Sequence, residues 1–210
     1  MQKSLLPHEI EARSFAILTQ ELGDRELDPF QAPIIKRVIH TSADFDYADT
    51  LTFSQDAVPK ALTALQNGAC IVTDTNMVKA GINQTLLQSL GGRVYCFMAD
   101  PDIAQAAKQN GTTRAVASMD KAAQLQGPFI FAIGNAPTAL LHLCDLMDAG
   151  KLHPELVIGV PVGFVNVVEA KERLLTYDIP YIVARGRKGG SNIAAAICNA
   201  LLYQLRDRTL

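Results

Sequence analysis

The sequence has no tryptophan and few other aromatic residues, which together make up 6% of its 210 residues. Surfaces that stack nucleic-acid bases need aromatic side chains, and surfaces that bind a phosphate backbone need an excess of positive charge. Here the formal net charge is −2. We therefore expect neither nucleic acid nor an anionic membrane as a partner, although this balance still permits one local basic pocket.

Cysteine is also scarce, and long apolar runs are absent. The four cysteines form no C-x-x-C pair, which favours buried reduced thiols over disulfides or structural zinc. No apolar run reaches the roughly 18 residues that a membrane-spanning helix needs. The first fifteen residues lack the apolar segment of a signal peptide. These observations predict a cytoplasmic protein without a membrane partner.

Two phosphate-binding motifs are missing as well. Neither G-x-x-x-x-G-K-[ST] nor G-x-G-x-x-G occurs, so nothing indicates a nucleotide or dinucleotide cofactor. What the chain does have is 49% hydrophobic and 19% charged residues, a composition typical of globular proteins. Its length fits a single domain that spans residues 1–210.

Short apolar runs alternate with helical stretches from residue 68 onward. This pattern predicts five strands (69–73, 93–98, 129–133, 156–160 and 181–185) separated by helices (77–90, 102–109, 114–125, 137–149, 166–176 and 191–205). Continuously apolar strands are typical of parallel sheets that helices cover on both faces. Residues 1–67 contain no convincing strand and predict helices at 7–22, 32–41 and 54–67. We therefore expect an α/β fold, a doubly wound five-stranded parallel sheet with extra N-terminal helices.

The loop RGRKGGSN follows the last predicted strand and contains three cations, Arg185, Arg187 and Lys188. In doubly wound folds the ligand lies beyond the carboxyl ends of the strands. Glycines let backbone N–H groups approach an anion, and the helix that opens at Ser191 adds positive potential. The loop is therefore a candidate anion site. A solvated basic turn with an ordinary helix cap is the alternative.

Two further loops follow predicted strands. Thr75 lies in TDTNM after the first strand, and Asn135 lies in GNAPT after the third. Both side chains could contact a ligand. Helix capping explains both loops equally well.

The segment RVIHTSADFDYAD places Arg37 and His40 three residues apart, so that they share a helix face. Histidine exchanges protons near neutral pH, which makes His40 a candidate general acid or base. It could instead be a satisfied structural histidine. His40 and Asp44 could also hold a metal, but no third ligand has diagnostic spacing. Ser14 lies on an apolar helical stripe, where small residues usually serve close packing.

Several segments together resemble the precorrin-8X methylmutase family of cobalamin biosynthesis. They include RVIHTSADFDYADTLTFS, IVTDTNMVKAGIN, TTRA, IGNAPTALL, VIGVPVGFVNVVEAKE and PYIVARGRKGGSNIAAAICNALL. The resemblance extends from about residue 7 to residue 202. It implies a flavodoxin-like fold and a homodimer with the active site near the interface.

The resemblance also implies an activity and its residues. The family moves a methyl group from ring carbon 11 to ring carbon 12 of precorrin-8X or cobalt-precorrin-8, giving hydrogenobyrinate or cobyrinate, without a redox cofactor or a metal site in the protein. The catalytic histidine of the family falls on His40. The expected substrate-binding residues, which the resemblance and the loop analysis give together, are Ser14, Arg37, Thr41, Thr75, Arg114, Asn135, Arg185, Arg187, Lys188 and Ser191.

Two other functional classes stay open at this point. One is a non-catalytic flavodoxin-like module that holds a flavin or a tetrapyrrole, and such a flavin carrier would purify yellow. The other is a metal-dependent hydrolase built on His40 and Asp44, which a chelator would inactivate.

Overall fold

The computed structural model describes residues 6–206. Six strands form one sheet: β1 (Leu51–Phe53), β2 (Cys70–Thr73), β3 (Val94–Tyr95), β4 (Phe129–Ile133), β5 (Leu156–Gly159) and β6 (Tyr181–Ala184). Their order across the sheet is β1-β6-β5-β4-β2-β3. The strands from β2 to β6 pair in parallel, whereas β1 is antiparallel to β6, with Leu51 opposite Ala184. The molecule is thus an α/β protein with a mixed six-stranded sheet.

Eleven helices lie among the described residues. They are α1 (Pro7–Leu22), α2 (Ala32–Ser42), α3 (Tyr47–Thr50), α4 (Ala57–Gln66), α5 (Asn76–Gly81), α6 (Gln84–Ser89), α7 (Pro101–Asn110), α8 (Arg114–Ala122), α9 (Pro137–Asp148), α10 (Val167–Leu174) and α11 (Ser191–Arg206). None of the helices within residues 6–206 is long and apolar enough to cross a membrane. All four cysteines are unpaired, and three of them are buried, as their apolar surroundings predict.

Helices cover both faces of the sheet because its strands are apolar on both sides. Side chains of neighbouring residues in a strand point to opposite faces, so Ile130 and Phe131 of β4 enter different cores. The core around Ile130 includes residues of α1, α2, α4 and α11. The core around Phe131 includes residues of α7, α8, α9 and α10. This arrangement confirms the prediction of helices on both faces of the sheet.

The expectation that residues 1–67 contain no strand was wrong, and the sheet has six strands rather than five. Residues 51–53 pair with β6, and Ser54 extends the pairing. The Ser54 N–H donates to the Tyr181 carbonyl at 3.1 Å, and the Tyr181 N–H donates to the Ser54 hydroxyl at 2.9 Å. Ser54 is therefore part of the sheet edge, and the helix predicted at residues 54–67 begins at Ala57 instead.

The predicted helix over residues 77–90 is two helices, α5 and α6. The break lies at Ile82 and Asn83, where the Asn83 side chain accepts a hydrogen bond from the Leu86 N–H at the start of α6. The Asn83 N–H donates to the Asn199 side chain of α11 at 2.8 Å. The chain is thus held out of helical geometry by a distant residue. The predicted strand at 93–98 is shorter too, since only Val94 and Tyr95 pair.

Candidate active site

His40 lies on the exposed face of α2. Its ring stacks on Phe15 of α1, with ring centroids 4.9 Å apart and planes 6° apart. The Arg37 guanidinium lies 4.7 Å from the centre of the same phenylalanine ring. The prediction that Arg37 and His40 share a helix face is therefore confirmed, and α1 supplies the apolar surface against which both are held.

Arg37 joins three helices. Its guanidinium donates to the Glu11 carboxylate of α1 at 2.7 Å and lies 5.2 Å from the Tyr203 ring of α11. The hydrogen bond from Arg37 holds the pKa of Glu11 below its ordinary value, against a smaller opposing effect of burial. A positive charge with restricted orientation thus lies one turn from His40.

A cavity of about 290 Å³ opens beside the histidine. Its lining includes Ser14, Ile39, His40 and Phe45. The Ser14 hydroxyl donates to the Ile10 carbonyl at 2.9 Å, and the Thr41 hydroxyl donates to the Arg37 carbonyl at 2.9 Å. Each hydroxyl keeps its acceptor lone pairs. The cavity lies at the lower end of the range for small-ligand sites, so it can enclose only part of a large ligand.

The loop at residues 185–191 (the cationic loop) is tied to the turn after α2. The Lys188 ammonium donates to the carboxylates of Asp44 and Asp46, each at 2.6 Å. The hydrogen bonds with the two acids raise the pKa of Lys188, and the bond from Lys188 lowers the pKa of Asp44. Asp44 is four residues from His40, so this contact brings the loop to the same end of α2 as the histidine. The Asp44 carboxylate is thus engaged by an ammonium group, and no cluster of three metal-ligating side chains occurs within residues 6–206.

The other cations of the predicted site differ in their partners. Arg185 makes a two-pronged hydrogen bond to Glu172 of α10 at 3.0 and 2.9 Å. The Arg187 guanidinium lies 5.4 Å from the centre of the Phe164 ring. In the described part of the chain neither Arg187 nor Arg114, which opens α8, has a carboxylate partner. Both guanidinium groups are exposed, so they could receive an anion without first giving up an acidic partner.

Two predicted residues meet at the carboxyl ends of β2 and β6. The hydroxyls of Thr75 and Ser191 are 3.0 Å apart. The Thr75 hydroxyl also accepts a hydrogen bond from the Val78 N–H at 3.1 Å. Thr75 therefore caps α5, which is the alternative explanation that the sequence offered for this loop. The two strand ends are thus joined through side chains that lie 116 residues apart in sequence.

Asp74 is a residue whose importance the sequence did not reveal. It is fully buried and accepts hydrogen bonds from the backbone N–H groups of Gly134, Asn135 and Ala136 at 2.7–2.9 Å. Burial raises its pKa, and the three N–H bonds oppose that rise. Asp74 therefore fixes the turn that presents the exposed Asn135. An acidic residue directly after an apolar strand was the only signal for it.

Lys171 is the second residue that the sequence analysis missed. Its side chain is fully buried, and its ammonium donates to the carbonyls of Gly186 and Lys188 at 2.9 and 2.8 Å. Burial lowers its pKa to about 8. The available signal was a lysine on the apolar stripe of an amphipathic helix, beside Ala170 and one turn before Leu174.

An apolar patch is the third feature, and it lies on the loop after β5. Phe164 is 82% exposed, Val165 76% and Val162 46%. Exposed apolar side chains grouped on one loop indicate a binding surface. This patch neighbours the cationic loop through Arg187 and through the Gly163 N–H, which donates to the Arg187 carbonyl at 3.2 Å.

The predicted site residues thus fall into two groups. Ser14, Arg37, His40 and Thr41 lie on the α1–α2 surface. Thr75, Asn135, Arg187, Lys188 and Ser191 lie at the carboxyl ends of the strands, in the loops or at the first residue of the helix that follows. The ion pairs between Lys188 and the two aspartates connect the groups. Within residues 6–206 the side chains of Arg114 and Arg185 make no hydrogen bond with the residues of either group.

Comparison with known proteins identifies relatives over almost the whole chain. The sequence profile of precorrin-8X methylmutase matches residues 9–204. The chain is 45% identical over 207 residues to a cobalt-precorrin-8 methylmutase of Salmonella typhimurium, with 96% of this chain and 97% of that protein covered. It is 44% identical over 195 residues to one of Priestia megaterium, with 93% and 87% covered. A crystal structure of a precorrin-8X methylmutase from Thermus thermophilus, 40% identical, superposes with a TM-score of 0.86 and covers 96% of this chain and 99% of that one. This chain therefore belongs to the precorrin-8X methylmutase family.

Proposed function

We propose that this protein moves a methyl group from ring carbon 11 to ring carbon 12 of precorrin-8X or cobalt-precorrin-8, giving hydrogenobyrinate or cobyrinate. Family membership over residues 9–204 makes it a methylmutase, an isomerase of cobalamin biosynthesis. The relatives at 44% and 45% identity are named for the cobalt form, and the solved structure at 40% identity is named for precorrin-8X. We expect the reaction to need neither a redox cofactor nor a metal held by the protein.

In this proposal His40 moves the proton that sets off the rearrangement. The observation that carries the assignment is the exposed His40 ring, stacked on Phe15 at the edge of a cavity that also contains Ser14. A general acid or base must be open to substrate and fixed in orientation, and the stacked ring meets both requirements. Arg37, Ser14 and Thr41 would then bind polar groups of the substrate close to the histidine.

The loops at the strand ends would bind the rest of the macrocycle, which carries many carboxylates around an apolar ring. Arg187 and Arg114 have no carboxylate partner among the described residues and are the first candidates for these contacts. Arg185 and Lys188 would have to exchange a protein carboxylate for one of the substrate. Thr75, Asn135 and Ser191 supply uncharged hydrogen-bonding groups at the same edge, and Phe164 offers an apolar surface of the kind that a ring face covers.

We also propose a single flavodoxin-like domain that acts as a homodimer. The order of the five parallel strands, counted from β2, is 2-1-3-4-5, which supports the flavodoxin comparison. Exposed apolar side chains on α1 include Ile10 (52%) and Ile17 (47%), on either side of Ser14. A second copy that covers them would enlarge the small cavity at His40, which supports an active site near the interface.

The experiment uses purified protein dialysed against a chelator. Precorrin-8X and cobalt-precorrin-8 are added separately, and absorbance and product mass are followed together. A spectral change at constant mass supports the isomerase, and the two rates identify the preferred form. A mass change, or an absolute need for nicotinamide, flavin, S-adenosylmethionine or added metal, would overturn the proposal.

A further inference from the structure

Lys171 is a buried cation that forms no ion pair with any residue in the range 6–206. No carboxylate in the described part of the chain lies within ion-pair distance of its ammonium, and its only acceptors are the carbonyls of Gly186 and Lys188. A charge removed from water and not neutralised by an opposite charge costs several kcal/mol. The pKa of about 8 has burial as its cause and reflects this cost. A leucine at this position would complete the apolar stripe, so the lysine needs an explanation.

Several acidic residues on the elements that neighbour Lys171 bind other cations. Glu172, its neighbour on α10, binds Arg185. The acids that reach the cationic loop, Asp44 and Asp46, bind Lys188. On α9, against which α10 packs, Asp145 and Asp148 bind Arg173. The positive charge of Lys171 therefore acts on the two carbonyls of the loop.

The two hydrogen bonds from Lys171 also set the direction of the next N–H group in each peptide. All peptide bonds in the described residues are trans, and in a trans peptide the N–H points opposite to the C=O. The carbonyls of Gly186 and Lys188 point at Lys171, so the N–H groups of Arg187 and Gly189 point away from it. Within residues 6–206 neither N–H has an acceptor. Two backbone donors are thus set in the same loop as the Arg187 guanidinium.

Close packing keeps Gly189 in this orientation. Its φ is +158°, and a Cβ at this position would overlap the Val160 and Pro161 carbonyls at the end of β5. The next residue is also anchored, since the Gly190 N–H donates to the Val160 carbonyl at 2.9 Å. The loop is therefore held by the hydrogen bonds from Lys171 and by its contacts with the end of β5.

We propose that Lys171 is a positioning residue whose buried ammonium orients the cationic loop, so that the backbone N–H groups of Arg187 and Gly189 bind a carboxylate of the substrate. Backbone N–H groups that face one way form anion sites in many proteins, because their partial charges are fixed in place before the ligand arrives. The proposal rests on the proposed function, since the carboxylates are those of the corrin precursor.

The first test is Lys171→Met, which keeps the length of the side chain and removes its charge and its donors. We expect KM for the corrin precursor to rise at least tenfold, because N–H groups that lose their orientation also lose charge-assisted hydrogen bonds to the substrate carboxylate. We expect kcat to change less than threefold, since His40 is untouched. The matched control is Lys108→Met on the exposed surface of α7, which should leave both constants unchanged. A folded Lys171→Met protein with wild-type KM, or with kcat lowered as much as KM is raised, would overturn the proposal.

The second test needs no variant and applies even if Lys171→Met does not fold. Amide resonances of ¹⁵N-labelled wild-type protein are followed as the product hydrogenobyrinate is added. The N–H resonances of Arg187 and Gly189 should move downfield as they bind a carboxylate, whereas unmoved resonances at saturation would refute the assignment. This measurement also separates the two proposals. If the wild type turns over neither substrate, the proposed function fails, and the amide shifts still decide whether this loop binds a corrin carboxylate.

Discussion

The burial of Lys171 predicts how the free energy of unfolding depends on pH, and this prediction needs no substrate. Burial lowers its pKa from 10.5 to about 8 in the folded protein, and the unfolded chain restores the ordinary value. One pKa unit corresponds to about 1.4 kcal/mol. The fall from 10.5 to about 8 therefore corresponds to a cost of roughly 3 kcal/mol for keeping the buried ammonium charged.

The sign of the pH dependence follows from the protons that each state binds. Below about pH 8 both states keep the proton on Lys171, so the cost is fully present. Between about pH 8 and 10.5 the folded protein releases this proton while the unfolded chain retains it. The free energy of unfolding therefore rises with pH across this window. Above it both states are neutral, and no further gain is expected.

The contributions of other lysines to stability change with pH in the opposite direction. The wild type must therefore be compared with a variant that differs only at Lys171. Acidic partners raise the pKa values of Lys121 and Lys188, and their ion pairs lose strength as the pH rises. These contributions are common to wild type and Lys171→Met and cancel in the difference. The carbonyls that the variant leaves without a partner add an offset that does not depend on pH.

Urea unfolding of both proteins at several values between pH 7 and 10.5 measures the effect. We expect the stability of the wild type relative to Lys171→Met to increase by about 3 kcal/mol across this range. A difference that stays flat would mean that Lys171 is not a charged, buried group. A difference that falls would mean that the hydrogen bonds to the loop stabilise the ammonium more than burial destabilises it.

Three further predictions concern the proposed function. His40→Ala should keep the fold and bind the corrin precursor but lose about 10²–10⁴-fold in turnover, the usual contribution of general acid–base catalysis; near-wild-type turnover in a folded protein would exclude the role. Arg187→Ala should weaken binding about tenfold or more, measured by titration with hydrogenobyrinate, with little change in Tm because Arg187 is exposed and has no carboxylate partner within residues 6–206; unchanged binding would mean that the guanidinium does not contact the ligand. Sedimentation should show a dimer, and a 22.7 kDa species that is fully active at high dilution would contradict the homodimer.

The parallel core was readable from the sequence because its signal is local. Strands such as Phe129–Ile133 are buried at every position. A continuous apolar run of this length is typical of a strand that is covered on both faces. The edge strand Leu51–Phe53 lacks this signal, since only Leu51 is buried and the segment has just three residues. It forms because β6 offers an unpaired edge, and the partner of Leu51 in that edge is Ala184, far away in the sequence.

The candidate site could be predicted only in part, again because some of its contacts depend on residues that are distant in sequence. The shared face of Arg37 and His40 follows from helical spacing alone, and that prediction is confirmed. The Phe15 ring against which both lie comes from another helix, so local spacing could not reveal it. The sequence also presented Arg185, Arg187 and Lys188 as three equivalent cations. Their difference depends on which acids the fold brings near, and these acids lie on α10 and after α2.

These ion pairs leave the cationic loop with fewer free charges than its sequence suggests. Its side-chain charges are largely used within the protein, since Arg185 and Lys188 both bind acids. What the glycine-rich segment still offers a ligand is the Arg187 guanidinium and the backbone donors that Lys171 orients. Specificity for a carboxylate then depends on fixed backbone geometry more than on the number of basic residues. We therefore propose that the buried Lys171, which lies outside the loop sequence, determines how the loop binds its ligand.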